Sequence, residues 1–350
     1  MPARIGSRGT RSLALLALVG LLALSPIAAL AQESAVEVVG FASPEKANDF
    51  GWNQQGLEGA QQAAERVGAR LEVADGIGYE NVGPALRELA DGGAQLIIAH
   101  AAGYGTIGAE TAELYSVPVL VFNNPDAMKP GLVADVRNLP QEGSYLAGVL
   151  AATMTQTGVI GIAASADVTT WNRMAGGFVA GARSVNEDIV VRHSLIGPGG
   201  FADVAGGKRV TDSIIAAGAD IILGMGDGSS FGMIQSVETA SPPPGADKVW
   251  FIDVIGDKQS LDQQNVYLSS VLWDFSTLFE QAMRDVAAGT FGEAGYEVSI
   301  RSGNVSLLQT DHVTEDARSA VEAARAAIVD GSADVPNIET ADQLRELIGQ

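Results

Sequence analysis

Short apolar runs and longer amphipathic stretches alternate along most of this chain, and that alternation sets the expectations for its fold. Residues 36–41 read as a strand, and 52–67 as a helix with Leu57, Ala60, Ala64 and Val67 at helical spacing. Further strands are expected at 70–74, 96–99 and 117–122, separated by helices at 82–90 and 106–115. A short strand at 133–136 precedes the helix 142–154, whose Ser144, Ala147, Gly148, Ala151 and Ala152 permit close packing. The pattern then restarts. Strands at 158–164, 189–194, 221–223 and 249–254 alternate with helices at 175–185, 204–217 and 231–239. Residues 267–272 and 296–300 are strand-like around a helix at 275–288, and 315–329 and 340–348 read as helices. No sequence repeat joins the halves. The alternation predicts an α/β chain of two successive units, each an open parallel sheet with crossover helices. Ligands of such sheets sit beyond the carboxyl ends of the strands, so two facing units would share one cleft.

The first 31 residues belong to a different pattern. Arg4, Arg8 and Arg11 precede an apolar run over 13–24, and small residues follow, ending in Ala29-Leu30-Ala31. This is the order of a secretory signal peptide, with cleavage expected after Ala31. The run is shorter than the ~20 residues of a membrane-spanning helix. The expected location is therefore the periplasm. A lipid anchor at the cut requires a cysteine, and the chain contains none.

Composition narrows the chemistry. The absence of cysteine excludes disulfide scaffolds, zinc ribbons and cysteine nucleophiles, and 3 histidines argue against a multi-histidine metal centre. With 21 basic and 42 acidic residues in 350, the surface repels phosphate backbones and anionic lipid. No nucleic-acid polymer, metal or cofactor is expected, and the acidity is read as a device for solubility.

The loops that follow the predicted strands carry the candidate site. After the first strand, Asp49, Phe50, Trp52 and Asn53 stand at a helix start, outside the apolar stripe that begins at Leu57. Asp49 is equally suited to capping that helix. A Trp beside an acceptor and an amide suits a flat, polar, neutral ligand. Gly103 and Tyr104 follow the third strand, with Tyr104 facing either the cleft or the edge of the lobe; His100 reads as a buried strand-end residue. In the second unit, Trp171 and Asn172 echo Trp52 and Asn53, and Phe201 points forward from a loop that Asp203 ends as a helix cap. The loop with Gly226 and Asp227 lacks the lysine and threonine of a phosphate cradle, and its carboxylate suits hydroxyl donors. Asp253, Asp257 and Trp273 close the last two strands. Aromatic plates and carboxylates, with few free cations, favour a neutral polyol or heterocycle.

Residues 48–53 (Asn-Asp-Phe-Gly-Trp-Asn), continued by Gly56, Leu57, Gly59 and Ala60, resemble the N-terminal signature of the basic membrane protein (BMP) family of ABC-transporter substrate-binding proteins. The stretch 141–152 is similar to that family's interlobe helix, and 177–182 and 217–222 are similar to further family blocks in the expected order. The resemblance implies a type I periplasmic-binding fold with three interlobe crossovers. It implies an N-terminal lobe of residues 32–136 plus about 256–292, a C-terminal lobe of 137–255 plus about 293–312, and a helical extension over 313–350. It also implies a base held between Trp52 and Phe201, with Asp49 and Asn53 on base or ribose and the 226–228 loop closing over it. Two departures bear on the ribose: only Asp257 is in register with the family's Asp-x-Asp, and Trp273 stands where a lysine is usual.

The expected function is that of a monomeric solute receptor, not an enzyme, delivering a nucleoside or nucleobase to an inner-membrane ABC permease. The alternatives are a sugar or other polyol receptor of the same fold, a ligand-sensing partner of a membrane receptor and, last, an exported hydrolase using Asp49, Asp227 or Asp257.

Overall fold

The computed structural model describes residues 35–349, so the expected signal peptide and its cleavage point lie outside the described residues. The first half builds β1 (Val38–Ser43), α1 (Trp52–Val67), β2 (Arg70–Asp75), α2 (Val82–Asp91), β3 (Leu96–Ala99), α3 (Gly105–Tyr115), β4 (Val119–Phe122) and β5 (Val133–Asn138). Helix α4 (Pro140–Met154) leads into β6 (Val159–Ala164), α5 (Thr169–Val185), β7 (Val190–Leu195), α6 (Val204–Ala216), β8 (Ile221–Met225), α7 (Ser230–Thr239), β9 (Trp250–Ile255) and β10 (Tyr267–Trp273). The chain then runs through α8 (Ser276–Ala288), β11 (Tyr296–Val298), β12 (Val305–Leu307), α9 (Glu315–Asp330) and α10 (Ala341–Ile348).

Two six-stranded sheets result, ordered β11-β5-β4-β3-β1-β2 and β12-β10-β9-β8-β6-β7. The orders correspond strand for strand, although the sequences of the halves do not repeat. Every pairing is parallel except that of β12 with β10. The central strands β3 and β4 are buried along their whole length, as continuous apolar runs covered by helices on both faces require.

The chain passes between the sheets three times, through α4, through α8 and through residues 299–304. The number is the expected one, but the positions differ. The resemblance places residues 256–292 in the first lobe, yet β10 pairs in register with β9 in the second sheet. It places residues 293–312 in the second lobe, yet β11 pairs with β5 in the first. The reason is the link 256–266, which holds only the short 3-10 turn Gln259–Leu261 and no α-helix, and returns the chain to the sheet it left. The crossover therefore falls at α8, which packs on α1. The passages are tied together: Leu139 N–H donates to Val298 O, Ile300 N–H to Glu142 Oε2 at 2.8 Å, and Asn304 Nδ2 to Asp274 O at 2.7 Å.

Helices α4 and α5 meet backbone to backbone. A Cβ at Gly148 would lie 2.0 Å from Phe178 O, and one at Gly181 2.0 Å from Tyr145 O, so only glycine allows this crossing. The C-terminal segment straps the outside of α5, where Ile338 packs on Gly176 and Arg183 donates to Leu347 O. Among the described residues no helix is long and apolar enough to cross a membrane.

Candidate functional site

Where the loops after the strands of the two sheets meet, Phe50, Gly51 and Trp52 of the first lobe seat against the second. Trp52 N–H donates to Asp227 Oδ1 at 3.3 Å, and the Phe50 ring stands edge-on to Phe231 at 6.2 Å. Two glycines set this approach. A Cβ at Gly51 would lie 2.4 Å from Asp227 Oδ1, and one at Gly256 1.9 Å from Phe50 O. Phe50 (φ +52°), Asp227 (φ +43°) and Ile255 (φ +71°) hold left-handed backbone at this junction. For a β-branched residue such as Ile255 that conformation is strained, and strain of this kind collects at functional sites.

Trp52 is partly buried and fixed by a reciprocal pair of bonds. Its Nε1–H donates to His100 O at 2.9 Å, and His100 Nε2, 2.9 Å from Trp52 O, donates in return. The two rings stack at 4.1 Å with 12° between planes, and Phe122, Trp273 and Phe275 stand edgewise around Trp52. A Cβ at Gly56 would lie 2.1 Å from His100 Nε2, so a glycine makes room for the imidazole. Burial lowers the His100 pKa to about 3, which keeps the ring neutral under the indole. This is the buried strand-end role expected for it.

The carboxylates divide sharply. Asp49 Oδ1 accepts from the backbone N–H of Gly51 and Gln54, and Oδ2 from the N–H and the side-chain amide of Asn53. Asp49 thus holds the N–H groups at the entry to α1, whose N-cap residue is Gly51. Asn53 also holds Glu45 N–H through Oδ1, so both ends of its amide are spent inside the loop. Asp227 differs: it is partly buried, and desolvation first, then the facing Asp49, push its pKa up to about 7.

Several expected cleft residues have other work. Tyr104 is buried in the outer core of the first lobe and donates to Gly78 O at 2.6 Å, so it covers the lobe. Trp171 is 4% exposed and donates from Nε1 to Ser165 Oγ at 2.8 Å. Asn172 Nδ2 donates to Asp167 and to Glu339 O of the C-terminal strap. Asp253 is buried with Lys258 Nζ at 2.9 Å and accepts from Ser230 Oγ, while exposed Asp257 accepts from Gln259 in its own turn. Each of these groups has at least one donor or acceptor in its own surroundings.

Phe201 is 37% exposed, with its ring 6.4 Å from Trp171, and the Gly228 backbone packs against its turn. Gly226 is buried, and Ser229 Oγ donates to its carbonyl at 2.8 Å. Gly103 is exposed beside Tyr79. Trp273 Nε1 is buried without a hydrogen-bond partner, as is Asn138 Oδ1 at the end of β5. The sequence reading missed Phe231, Gly256 and Asn138. The one available signal was position: Gly256 just after β9, Asn138 at the end of β5 and Phe231 in the first turn of α7.

Among the described residues no group of acidic, histidine or cysteine side chains is arranged to hold a metal ion. A family model described as ABC transporter substrate-binding protein PnrA-like matches residues 36–339. The nucleoside-binding protein BmpA of Lactococcus lactis is 29% identical over 61% of this chain and 66% of its own length, just under two thirds. The transcriptional activator protein Med of Bacillus subtilis is 23% identical over 78% of this chain and 82% of its own. A purine-binding protein of Brucella abortus is 29% identical over 53% of each. A solved ABC transporter solute-binding protein of Aeropyrum pernix superposes with a TM-score of 0.74 at 17% identity, covering 90% of this chain and 96% of that one.

Proposed function

The chain belongs to the family of PnrA-like ABC transporter substrate-binding proteins, and from that premise we propose that it captures a nucleoside or nucleobase between its lobes for delivery to an inner-membrane permease. Substrate-binding proteins of ABC transporters act outside the cytoplasm, bind small ligands and pass them to a permease; they are not enzymes. Export after cleavage at Ala31, a periplasmic location and a monomeric carrier are parts of the same proposal.

The observation that carries it is the junction of strand-end loops. Phe50, Gly51 and Trp52 meet Asp227, Phe231 and Gly256 at the place where ligands of open α/β sheets bind. A ligand touching both sides there favours the closed arrangement by its differential affinity for it. The exposed part of Trp52 and the ring of Phe201 supply aromatic surface, and the unpaired Trp273 N–H supplies a donor. An offset-stacked aromatic contact adds roughly 0.5–1.5 kcal/mol beyond area burial. The names of the Lactococcus and Brucella relatives favour a purine-type ligand.

A calorimetric screen across nucleosides, free bases and pentoses tests the reading. Binding of a nucleoside or base, recovered unaltered after denaturation, is the expected result. Binding of pentoses alone would replace it with a sugar receptor, and recovery of cleaved product with an enzyme.

A further inference from the structure

Among the carboxylates near the cleft, Asp227 alone combines a place between the lobes with an uncommitted oxygen. Its Oδ1 accepts the Trp52 N–H, and its Oδ2 has no hydrogen-bond partner among the described residues. Asp49 opposite it is saturated by four N–H donors, and Asp253 behind it is consumed by Lys258, Ser230 and the Val254 N–H. Asp227 is held at φ +43°, a conformation that costs a non-glycine residue energy and persists because the surroundings enforce it. Its carboxyl is bonded to the backbone N–H of Trp52, at the first residue of α1, so it reaches across the junction to the residue that carries the indole. A partly buried carboxyl facing another carboxylate gains most from a new donor, because a charge-assisted hydrogen bond replaces lost solvation.

Resting on the reading of the cleft given above, we infer that Asp227 determines specificity: its free oxygen accepts a hydrogen bond from an N–H group on the edge of a heterocycle lying against Trp52. Rings that offer such a donor are taken, and the same rings stripped of it are refused. The donor is on the heterocycle, not on a sugar.

The groups that face Asp227 fix the sign of its pH dependence. Asp49 at the entry to α1 and Asp253 on β9 raise its pKa, Lys258 and the Trp52 N–H lower it, and Tyr79 of the first lobe feels its charge. With the carboxyl half-protonated near pH 7, affinity for a donor ligand falls as pH drops from 8 to 6.

The test is a cycle of ligand and protein changes read by calorimetry at pH 8. Adenosine is compared with N6,N6-dimethyladenosine, and inosine with 1-methylinosine, on the native protein and on Asp227→Asn. Dimethylation or methylation is expected to weaken binding about tenfold or more on the native protein and less than about threefold on Asp227→Asn, a coupling of the size usual for charged hydrogen bonds. Asp227→Gly, which suits the left-handed backbone, gives the same coupling if Asp227→Asn melts early. The fall in affinity between pH 8 and pH 6 disappears in both variants. Equal losses on native and variant proteins overturn the inference while leaving a nucleoside receptor in place. So does coupling to 2′-deoxyadenosine instead, which would make Asp227 a reader of the ribose. If none of these nucleosides or their bases binds the native protein and a pentose does, the reading of the cleft falls with it.

Discussion

The same dipeptide, Trp-Asn, stands in the first turn of the helix that follows the first strand of each sheet, as Trp52-Asn53 and as Trp171-Asn172. Topology gives both pairs one address, and their surroundings give them opposite work. Trp52 keeps part of its surface exposed at the junction of the lobes, stacked on a neutral imidazole. Trp171 is buried, and Asn172 binds the carbonyl of Glu339 in the C-terminal strap. Among the described residues no terminal segment straps α1 of the first lobe, and its tryptophan stays beside the cleft, whereas the second has its corner closed by its own tail. Position in a fold therefore nominates a site residue, and the neighbouring chain decides whether it remains available.

The largest way to break this comparison is Trp171→Ala. Loss of a buried tryptophan costs about 3–5 kcal/mol of folding stability, read as a large fall in the urea midpoint. Trp52→Ala is expected to cost less stability, and a reversal of that order would remove the contrast. Gly56→Ala acts on the first pair alone: its Cβ meets His100, and overpacking of this kind costs about 1–3 kcal/mol. Near-ultraviolet circular dichroism of Trp52 should change with it. Trp52→Ala weakens ligand binding at least tenfold, about 1.4 kcal/mol, by calorimetry. Trp171→Phe, which keeps a ring in the second corner, leaves affinity within about twofold of native, well inside 1 kcal/mol.

A pH series sharpens the same point. The His100 pKa is held below its unfolded value, so the unfolded chain takes up a proton that the native protein refuses as pH falls from about 6.5 to about 3. Stability conferred by neutral His100 is present above that window and is lost on acidification, at up to about 1.4 kcal/mol per pH unit for one proton. His100→Phe should flatten the slope of denaturation midpoint against pH in this range; an unchanged slope would mean that other groups carry it. The smallest effect is Glu339→Ala. Its ion pair with Arg173 is substantially exposed on the glutamate side and contributes less than about 1 kcal/mol, although the backbone bond to Asn172 survives.

Much of the fold was legible because burial on both sides of a strand and on one stripe of a helix leaves periodic marks. The bounds of α1 and β3 coincide with the expected ones. Helix α5 begins earlier than its apolar periodicity, because its first turn is held by the strap and by Ser165, contacts distant or polar enough to leave no pattern. Strand β12 escaped notice because Val305–Leu307 is three residues long, set among Gly, Ser and Asn, and defined only by its antiparallel pairing with β10. The lobe boundaries differ at residues 256–266 for a similar reason: a link whose one element is a three-residue 3-10 turn reads as a crossover until the register of β10 on β9 is seen.

The site was less legible than the fold. Residue type and strand-end position nominate Phe50, Trp52 and Asp227, which the fold brings together at the lobe junction, along with Trp171, Asn172, Tyr104, Asp253 and Asp257, whose polar atoms bond within their own surroundings. Trp52 has its indole N–H bonded as Trp171 has, so what sets Phe50, Trp52 and Asp227 apart is their contact across the lobe junction, and such contacts are spatial facts. Phe231 and Gly256 carry no chemistry that marks them, since one is an ordinary apolar residue and the other is needed only because Phe50 O approaches it.

The outer strand of each sheet, β11 in one and β12 in the other, is supplied by chain that has just left the opposite sheet. Neither half can thus be excised by a single cut without stripping an edge from its neighbour. Recombination that swaps halves between relatives must carry both short strands along, and the smallest unit that can be inherited intact is the whole interlaced pair.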